Sequence, residues 1–495
     1  MNQRGSGFHA QALETARQRV DQLLRSGQAN EAESEVDRLR ERHGDCHEVD
    51  VLQARVLTHL GKWQKAKTPL ERALAVTPDA PQLLNMQVRL LEKLGDWSGS
   101  EAALQRLMSQ HPEDWQARRL CFQRARKRGD FGKARELLSA LLSEKPDSPG
   151  LLYQYSLMMP GAADAALIER LERLRQSPRV SVTGQALSAF ALGNLLLAAN
   201  RDDPAFDAYA HGNGLLFHRR VAKGRHPAAL LRRWQRSGIS PRYFQARADY
   251  GIRQSGLAFV LGPSRSGKSL LEGLLARHPQ VGRLGESLMT RYALNDQLGG
   301  RNRVNYLAEV DGATARSDAH AYLARRGLAA DRRYWLDTMP SNIDLLPVLA
   351  LWYPDVPIIF CTRDLLDVGI TIYFRYYSSG NKPYFDLAEI GRYIARYTML
   401  CKFMEAVLPN PVCWVRYEDL VEDPAAELRR LAAFLDLDPT SLGDACAVSA
   451  NEAYRHPVDS HELPTPITTD AVGIHQRFGH RLDPLWHGIM RNLGD

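Results

Sequence analysis

Three classes of residue recur in this sequence with a single period of 34 residues. Glycine recurs at that step at Gly27, Gly61, Gly95 and Gly129. Proline keeps the step at Pro78, Pro112 and Pro146, and an aromatic residue follows three of the glycines by two positions, at Trp63, Trp97 and Phe131. A glycine can end a first helix in the left-handed conformation, and a proline cannot continue a second one. The period therefore predicts stacked helix pairs, because one pair cannot bury its own apolar face.

The period and its residues resemble the tetratricopeptide repeat. The resemblance implies an N-terminal α-solenoid. We assign residues 1–220 to this helical domain, since the apolar pattern beyond residue 150 still fits helices. A solenoid of this kind either binds a protein ligand on its concave surface or braces the domain that follows it. The sequence leaves both interpretations open.

The stretch between the two halves of the chain is basic. From Arg219 to Arg247 the sequence has nine Lys or Arg residues and no Asp or Glu. Residues 221–250 are therefore predicted to form a basic helical linker, which is either a solvated helix face or a collar that attracts an acidic substrate. The whole chain has 495 residues and a formal net charge of +7. This charge is a mild bias toward anionic partners, and we expect no nucleic-acid binding from it.

The six cysteines predict neither a structural zinc site nor a disulfide framework, because no two of them form a CxxC pair. No stretch approaches about 18 uninterrupted apolar residues, the length that a membrane helix needs. The first residues also lack the apolar core of a signal peptide. From these observations we expect no membrane span and a cytoplasmic location.

From residue 257 the sequence has a short apolar stretch, then a loop of small residues, then a helical pattern: LAFVLG, PSRSGKS and LLEGLLARHP. This order aims backbone N–H groups and a helix dipole at an anion. Residues 262–269 also match the phosphate-binding pattern GxxxxGK[ST]. One interpretation is an ATP site, with Lys268 on the phosphates, Ser269 on magnesium and Asp337 supplied by another strand. It predicts a magnesium-dependent kinase or ATPase.

Three segments of the C-terminal half resemble the sulfotransferases that use 3′-phosphoadenosine-5′-phosphosulfate (PAPS): GPSRSGKSLLEGLLARHPQVGRLGE, PIIFCTRDLLDVGITIYF and VCWVRYEDLVEDPAAELRRLAAFLDL. For residues 251–495 the resemblance implies a three-layer α/β P-loop domain with a parallel sheet. It also implies transfer of a sulfuryl group from PAPS to a hydroxyl acceptor. No metal is required by this reaction, because protein cations can stabilise the charge that gathers on the leaving oxygen.

The resemblance gives each motif a role at the nucleotide. The residues that would bind the 5′-phosphosulfate share one loop: Ser264, Arg265, Ser266, Gly267, Lys268 and Ser269. Arg265 would also act as the catalytic cation beside the bridging oxygen. Arg363 and Thr371 would bind the 3′-phosphate, with Arg477 as a further cation for it, and Tyr417 would contact the adenine or its surroundings.

A hydroxyl acceptor also requires a base. Glu286 aligns with the catalytic glutamate of the tyrosylprotein branch of the family and is our first candidate, with Asp337 as the second. This alignment, together with the repeats, favours a protein or peptide acceptor over a saccharide or a small molecule.

The sequence departs from the family pattern at several positions. Lys268 stands where the family usually has Thr, and this keeps the ATP interpretation open. Thr338 stands where related chains usually have Lys, and Ile474 and His475 replace an Arg-Trp pair near the end of the chain. A third interpretation is therefore a repeat scaffold whose transferase domain has lost catalytic power.

Overall fold

A computed structural model describes residues 3–161, 164–217, 227–253, 255–287, 289–328, 331–377, 384–442 and 467–493. The first part of the predicted basic linker lies outside these residues. The chain divides into two compact units. We call residues 1–126 with 132–144 the repeat unit, and residues 127–131 with 145–495 the sheet unit. None of the helices in the described ranges combines the length and the apolar content that crossing a bilayer requires.

The periodic part of the sequence forms consecutive helices. They are α1 (Gln3–Arg25), α2 (Ala29–His43), α3 (His47–His59), α4 (Trp63–Val76), α5 (Pro81–Leu94), α6 (Trp97–Gln110), α7 (Trp115–Lys127) and α8 (Phe131–Glu144). All four periodic glycines lie between helices and have positive φ angles. Helix α5 is typical: a proline opens it, Leu84 and Val88 are buried, and Gly95 ends it at φ +81° while its N–H donates to Glu92 O. The predicted helix pairs are therefore confirmed.

Further helices lead from the repeats to the sheet. They are α9 (Pro149–Met158), α10 (Ala165–Gln176), α11 (Val182–Ala198), α12 (Asp202–Phe217), α13 (Pro227–Gln235) and α14 (Pro241–Gln245). These helices belong to the sheet unit. The buried side-chain amide of Asn213 on α12 donates to the Tyr373 carbonyl at 2.8 Å. The domain boundaries predicted at residues 220 and 250 stay predictions, because a compact unit need not be an independently folding domain.

The predicted parallel sheet is confirmed and has five strands in the described residues. The strands are β1 (Leu257–Leu261), β2 (Val281–Gly285), β3 (Tyr334–Asp337), β4 (Ile358–Thr362) and β5 (Val412–Arg416), and their order is β2-β3-β1-β4-β5. Every residue of β1 is buried, as expected for a central parallel strand. Because all strands are parallel, the loops that follow β1, β3 and β4 meet at one edge of the sheet.

Helices cover both faces of the sheet. They are α15 (Lys268–Leu275), α16 (Met289–Gln297), α17 (Arg303–Glu309), α18 (Gly312–Arg326), α19 (Leu346–Trp352), α20 (Leu365–Tyr373), α21 (Leu387–Val407), α22 (Tyr417–Glu422), α23 (Pro424–Phe434) and α24 (Asp483–Leu493). Cys413 and Val415 of β5 belong to the core that contains α15 and α23. The intervening Trp414 faces the other way, and its indole N–H donates to Glu405 of α21 at 2.8 Å.

Candidate nucleotide site

Residues 262–267, which we call the anion loop, follow β1, the central strand of the sheet. The loop ends at Gly267, which caps the N-terminus of α15. The first N–H groups of a helix have no acceptor within the helix, so they are free to face an anion. Two loop residues have left-handed backbones, Arg265 at φ +71° and Gly267 at φ +93°. At Gly267 a Cβ atom would lie 2.8 Å from Tyr417 Cδ2. Close packing by the RYEDL motif therefore requires a glycine at this position.

The side chains of the loop hold its backbone in place. Ser266 Oγ and Lys268 Nζ are both buried, and both donate to the Pro263 carbonyl at 2.9 Å. The Lys268 charge consequently stays within the loop, where it adds to the positive potential of the N–H groups. Ser264 Oγ lies 3.3 Å from the hydroxyl of Tyr377. Ser269 is part of the first turn of α15 and is half-buried.

Arg265 lies in a strongly cationic environment. Burial lowers the pKa of its guanidinium to about 10, and the charges of Arg375 and Arg363 act in the same direction. The guanidinium groups of Arg375 and Arg363 are thus both close enough to repel that of Arg265. A dianionic ligand would relieve this repulsion.

Arg363 follows the last residue of β4 and connects several parts of the site. Its guanidinium lies 4.5 Å from the centre of the Tyr417 ring, and Nη1 donates to the Arg265 carbonyl at 3.4 Å. Nη2 donates to the Ala471 carbonyl and lies 4.0 Å from the Asp367 carboxylate. Among the described residues, the buried Nε atom has no hydrogen-bond acceptor. The structure therefore brings Arg363, Tyr417 and the anion loop together.

Thr371 lies on α20, eight residues after Arg363 in the sequence. Its hydroxyl donates to the Asp367 carbonyl at 2.6 Å, so both predicted 3′-phosphate residues lie beside Asp367. Arg477 has other contacts: its guanidinium donates to the Asp202 carboxylate and to Asn200. Its assignment to the 3′-phosphate stays a prediction, and the ion pair with Asp202 competes with that role.

The buried carboxylate of Asp367 ties the C-terminal segment to α20. Gly473 N donates to it at 2.7 Å and His475 N at 3.0 Å, and His475 Nδ1 lies 2.6 Å from it. Asp364, Asp367 and His475 bring three potential metal-ligand atoms within 4.8 Å of one another. Since Asp367 already accepts two backbone N–H groups, we interpret this group as a hydrogen-bond network. Sequence reasoning missed Asp367, although it lies four residues after the predicted Arg363.

Glu286 directly follows β2 and is exposed. It lies close enough to Tyr377 for its charge to add to burial, the main effect that raises the pKa of this tyrosine. Arg265 lowers the same pKa. Tyr377 is therefore near both the predicted base and the predicted catalytic cation. The sequence analysis did not single out Tyr377, which lies in an aromatic stretch outside the three family segments.

Asp337 ends β3 and is fully buried. Its carboxylate accepts hydrogen bonds from the Thr290 hydroxyl, from Met339 N at 3.0 Å and from Asn342 Nδ2 at 2.9 Å. Burial raises its pKa to about 6. Thr338, the residue that replaces the usual Lys, is also buried, and its hydroxyl has no partner among the described residues.

A second buried carboxylate connects the anion loop with the strand that leads to Glu286. Glu272 on α15 accepts the Gly285 N–H at 2.8 Å and lies 3.3 Å from the Arg283 guanidinium.

On the other side of the site, a cavity of about 1080 Å³ opens beside Arg363. It is lined in part by Trp414, His475 and Gln476.

The comparisons with known proteins agree with the motifs. Residues 258–441 match the model of the sulfotransferase family. An uncharacterized protein of Aquifex aeolicus (strain VF5) is 25% identical over 302 residues, which cover 59% of this chain and 40% of the relative. This chain therefore spans less than half the length of that curated relative.

Solved structures resemble each part of the chain at low identity. Sulfotransferase STF9 from Mycobacterium avium is 14% identical, covers 60% of this chain and 92% of its own, and has a TM-score of 0.26. The type IV pilus biogenesis factor PilW is 17% identical, with 40% and 91% coverage and a TM-score of 0.33. A tetratricopeptide repeat protein from Parabacteroides merdae is 17% identical, with 41% and 78% coverage and a TM-score of 0.32. Residues 258–441 therefore match the sulfotransferase family model, and a region rich in helices precedes them in the chain.

Proposed function

We propose that this protein transfers a sulfuryl group from PAPS to a hydroxyl acceptor and releases adenosine 3′,5′-bisphosphate. One observation carries the proposal. Tyr417 packs against Gly267 of the anion loop and under the guanidinium of Arg363, so three motifs far apart in sequence form one site. Each motif matches a segment of the family pattern, and a 5′-phosphate site beside a 3′-phosphate site distinguishes PAPS from ATP.

The chemistry that this site would support follows from its charges. The acceptor oxygen attacks sulfur, the bond between sulfur and the bridging phosphate oxygen breaks, and negative charge gathers on that oxygen. Arg265 and the N–H groups of the anion loop would stabilise the charge in a partly desolvated place, where electrostatic effects are strong. The acceptor proton would pass to Glu286, which is exposed and free to meet an incoming substrate.

Arg363 is the proposed determinant for the 3′-phosphate. Its Nε atom is buried without an acceptor in the described residues, and a buried donor in this state carries a desolvation cost. A phosphate oxygen would supply the missing acceptor. Arginine suits this role because its planar fork binds phosphate with two donors at once.

A magnesium-dependent kinase is the second candidate, and the GxxxxGK[ST] match with Lys268 favours it. The surroundings of Asp337 favour the sulfotransferase instead. Both of its oxygens already accept hydrogen bonds from protein donors, and its raised pKa makes it a poor ligand for a cation. A protein or peptide acceptor remains part of the proposal, as does the relation to the tyrosylprotein branch.

Calorimetry with adenosine 3′,5′-bisphosphate, 5′-AMP and ATP plus magnesium tests the proposal, each titration being repeated with a chelator. We expect tight binding of the bisphosphate alone, unchanged by the chelator. Arg363→Ala should reduce the ratio of the affinities for adenosine 3′,5′-bisphosphate and 5′-AMP at least about tenfold, which is the effect of losing one charged hydrogen bond. Arg429→Ala, which removes an exposed cation on α23, is the matched control and should change nothing. Binding of ATP only, and only with magnesium, would establish the kinase instead.

Transfer itself is measured with ³⁵S-labelled PAPS and a panel of tyrosine peptides, phenols and saccharides. Glu286→Gln should leave bisphosphate binding intact and lower the transfer rate by a factor of about 100, the typical contribution of a general base. Tight bisphosphate binding without transfer to any acceptor would favour the weakened scaffold. In that case Thr338→Lys should restore activity.

A further inference from the structure

The strand that leads to Glu286 ends irregularly. β2 lies at the edge of the sheet beside β3, and the pairing of the two strands shifts register between Arg283 and Gly285. Gly285 then has a left-handed backbone, with φ +63°. Bulges of this kind bend a strand and redirect the side chains beside them, and they are frequent next to active sites. The direction in which Glu286 leaves the sheet is therefore set at Gly285.

Both backbone polar groups of Gly285 are bonded to other segments of the chain. Its N–H donates to Glu272 Oε1 at 2.8 Å, and its carbonyl accepts the Thr338 N–H at 3.1 Å. Thr338 directly follows β3, whereas Glu272 lies on α15, five residues after Gly267. One side-chain hydrogen bond therefore connects the helix that begins at the anion loop with the residue before Glu286.

The Glu272 side chain is 0% exposed, so it cannot meet a substrate itself. Its second oxygen, Oε2, lies 3.3 Å from the Arg283 guanidinium, and both oxygens thus have partners on β2. Burial raises the pKa of the Glu272 carboxyl, whereas the Arg283 charge and the Gly285 N–H lower it. A buried carboxylate costs desolvation free energy that an apolar side chain of similar volume avoids. Packing alone therefore does not explain a carboxylate at this position.

We propose that Glu272 is a positioning residue, which acts through Gly285 to fix Glu286 relative to the anion loop. This inference rests on the proposed function, in which the loop holds the sulfuryl donor and Glu286 takes the acceptor proton. A misplacement of about 1 Å in a reacting group can cost about 100-fold in rate. An exposed residue such as Glu286 has few contacts of its own to fix it, so its direction depends on the backbone that precedes it.

A purely structural role for Glu272 makes a different prediction. Its loss would then lower the stability of the fold, and any effect on the transfer rate would be independent of Glu286. A positioning role requires instead that the effect disappears once Glu286 no longer acts as a base, because residues that act through one another are not additive. A double-mutant cycle on Glu272 and Glu286 separates the two roles.

The cycle uses Glu272→Leu, Glu286→Gln and the double variant of the full-length protein, with ³⁵S-labelled PAPS and the panel of tyrosine peptides, phenols and saccharides. Glu272→Leu should lower kcat at least about tenfold and leave the affinity for adenosine 3′,5′-bisphosphate within about twofold. In the Glu286→Gln background, the same substitution should change kcat by less than about twofold. Glu272→Asp, which keeps the charge and withdraws the carboxylate by one methylene group, should behave in the same way and replaces Glu272→Leu if that variant does not fold.

Two matched controls keep the hydrogen bond to Gly285 and change the charge. Glu272→Gln retains a carbonyl oxygen that can accept the Gly285 N–H, and Arg283→Gln leaves Glu272 Oε1 in place. Both should lower the free energy of unfolding in urea and keep kcat within about threefold of the unsubstituted protein. Equal kcat losses from Glu272→Leu in both backgrounds, or a loss in Arg283→Gln as large as in Glu272→Leu, would overturn this inference alone. No transfer by the unsubstituted protein would overturn the proposed function together with it.

Discussion

Two glycines of this protein have nearly the same backbone and very different surroundings. Gly95 ends a helix of the repeat unit at φ +81°, and an added Cβ would meet no atom within 4 Å. Gly267 ends the anion loop at φ +93°, and an added Cβ would collide with the Tyr417 ring. The first glycine is required by the local chain alone. The second is also required by a residue 150 positions away in the sequence.

The polar groups of the two units differ in the same way. In the repeat unit, Asp96 caps its own helix by accepting the Gly99 N–H at 2.8 Å. In the sheet unit, Asp367 accepts N–H groups from Gly473 and His475, more than 100 residues along the chain. Short-range contacts therefore shape the repeats, and long-range contacts shape the site. Substitutions in the two units should differ accordingly.

Gly267→Ala should have the largest effect. A left-handed alanine costs about 1–2 kcal/mol, and the Tyr417 contact must shift as well. We expect affinity for adenosine 3′,5′-bisphosphate to fall by roughly 100-fold, measured by calorimetry. Gly256→Ala is the control: Gly256 has φ +69°, but a Cβ atom added there would lie 4.0 Å from the Arg333 carbonyl oxygen. If both variants bind equally well, Tyr417 does not constrain the loop.

Asp337→Asn tests a buried carboxylate that accepts hydrogen bonds from two nearby residues and from the distant Thr290. Burial raises its folded pKa to about 6, above the ordinary value of 3.8, so the folded protein keeps a proton that the unfolded chain releases. The stability that this proton contributes is present at low pH and is lost as the pH rises through about 6. As the pH rises from about 4 to 7, the free energy of unfolding of the variant, measured by chemical unfolding, should therefore increase by ~2–3 kcal/mol relative to that of the native protein. Nucleotide binding should be unchanged. Loss of magnesium-dependent ATP binding in the variant would instead support the kinase.

Asp367→Asn tests the tie between α20 and the C-terminal segment. The amide would place N–H hydrogens against the donors at Gly473 or His475, and an unsatisfied buried group costs about 1–3 kcal/mol. We expect roughly tenfold weaker bisphosphate binding and faster proteolysis near residue 471. Asp423→Asn is the matched control, because asparagine can still cap α23 at Ala426 N. Equal effects of the two substitutions would mean that net charge, and not the tie, controls affinity.

Gly95→Ala should have the smallest effect. The side chain has free space, so only the left-handed backbone is penalised, by about 1 kcal/mol of unfolding free energy. Urea unfolding measures the loss, and bisphosphate binding should not change. Gly150→Ala, at a helical glycine with free space and no positive φ, should be neutral or slightly stabilising. A loss at Gly150 as large as that at Gly95 would show that the backbone conformation is not the cause.

The sequence analysis was most successful where a motif carries its own geometry. The periodic glycines and prolines gave the helix pairs, and the strand, loop and helix around residues 257–275 gave the anion loop. The family resemblance predicted that Arg363 and Tyr417 belong to one site. In the structure, the Arg363 guanidinium carbon lies 4.5 Å from the centre of the Tyr417 ring. Asp367 and Tyr377 were missed, because their partners lie in other segments of the chain. Asp367 accepts hydrogen bonds from Gly473 and His475, and Tyr377 contacts Ser264.

What the sequence by itself determined is what neighbouring residues can encode: the repeat period, the left-handed turns, the buried strand β1 and the loop that follows it. The tertiary structure decided which distant groups share a charge or a hydrogen bond. Arg477 illustrates the limit, since an ion pair with Asp202 occupies it in the folded chain. Local patterns fix backbone conformation within a few residues, whereas the pairing of polar groups depends on which segments packing brings together.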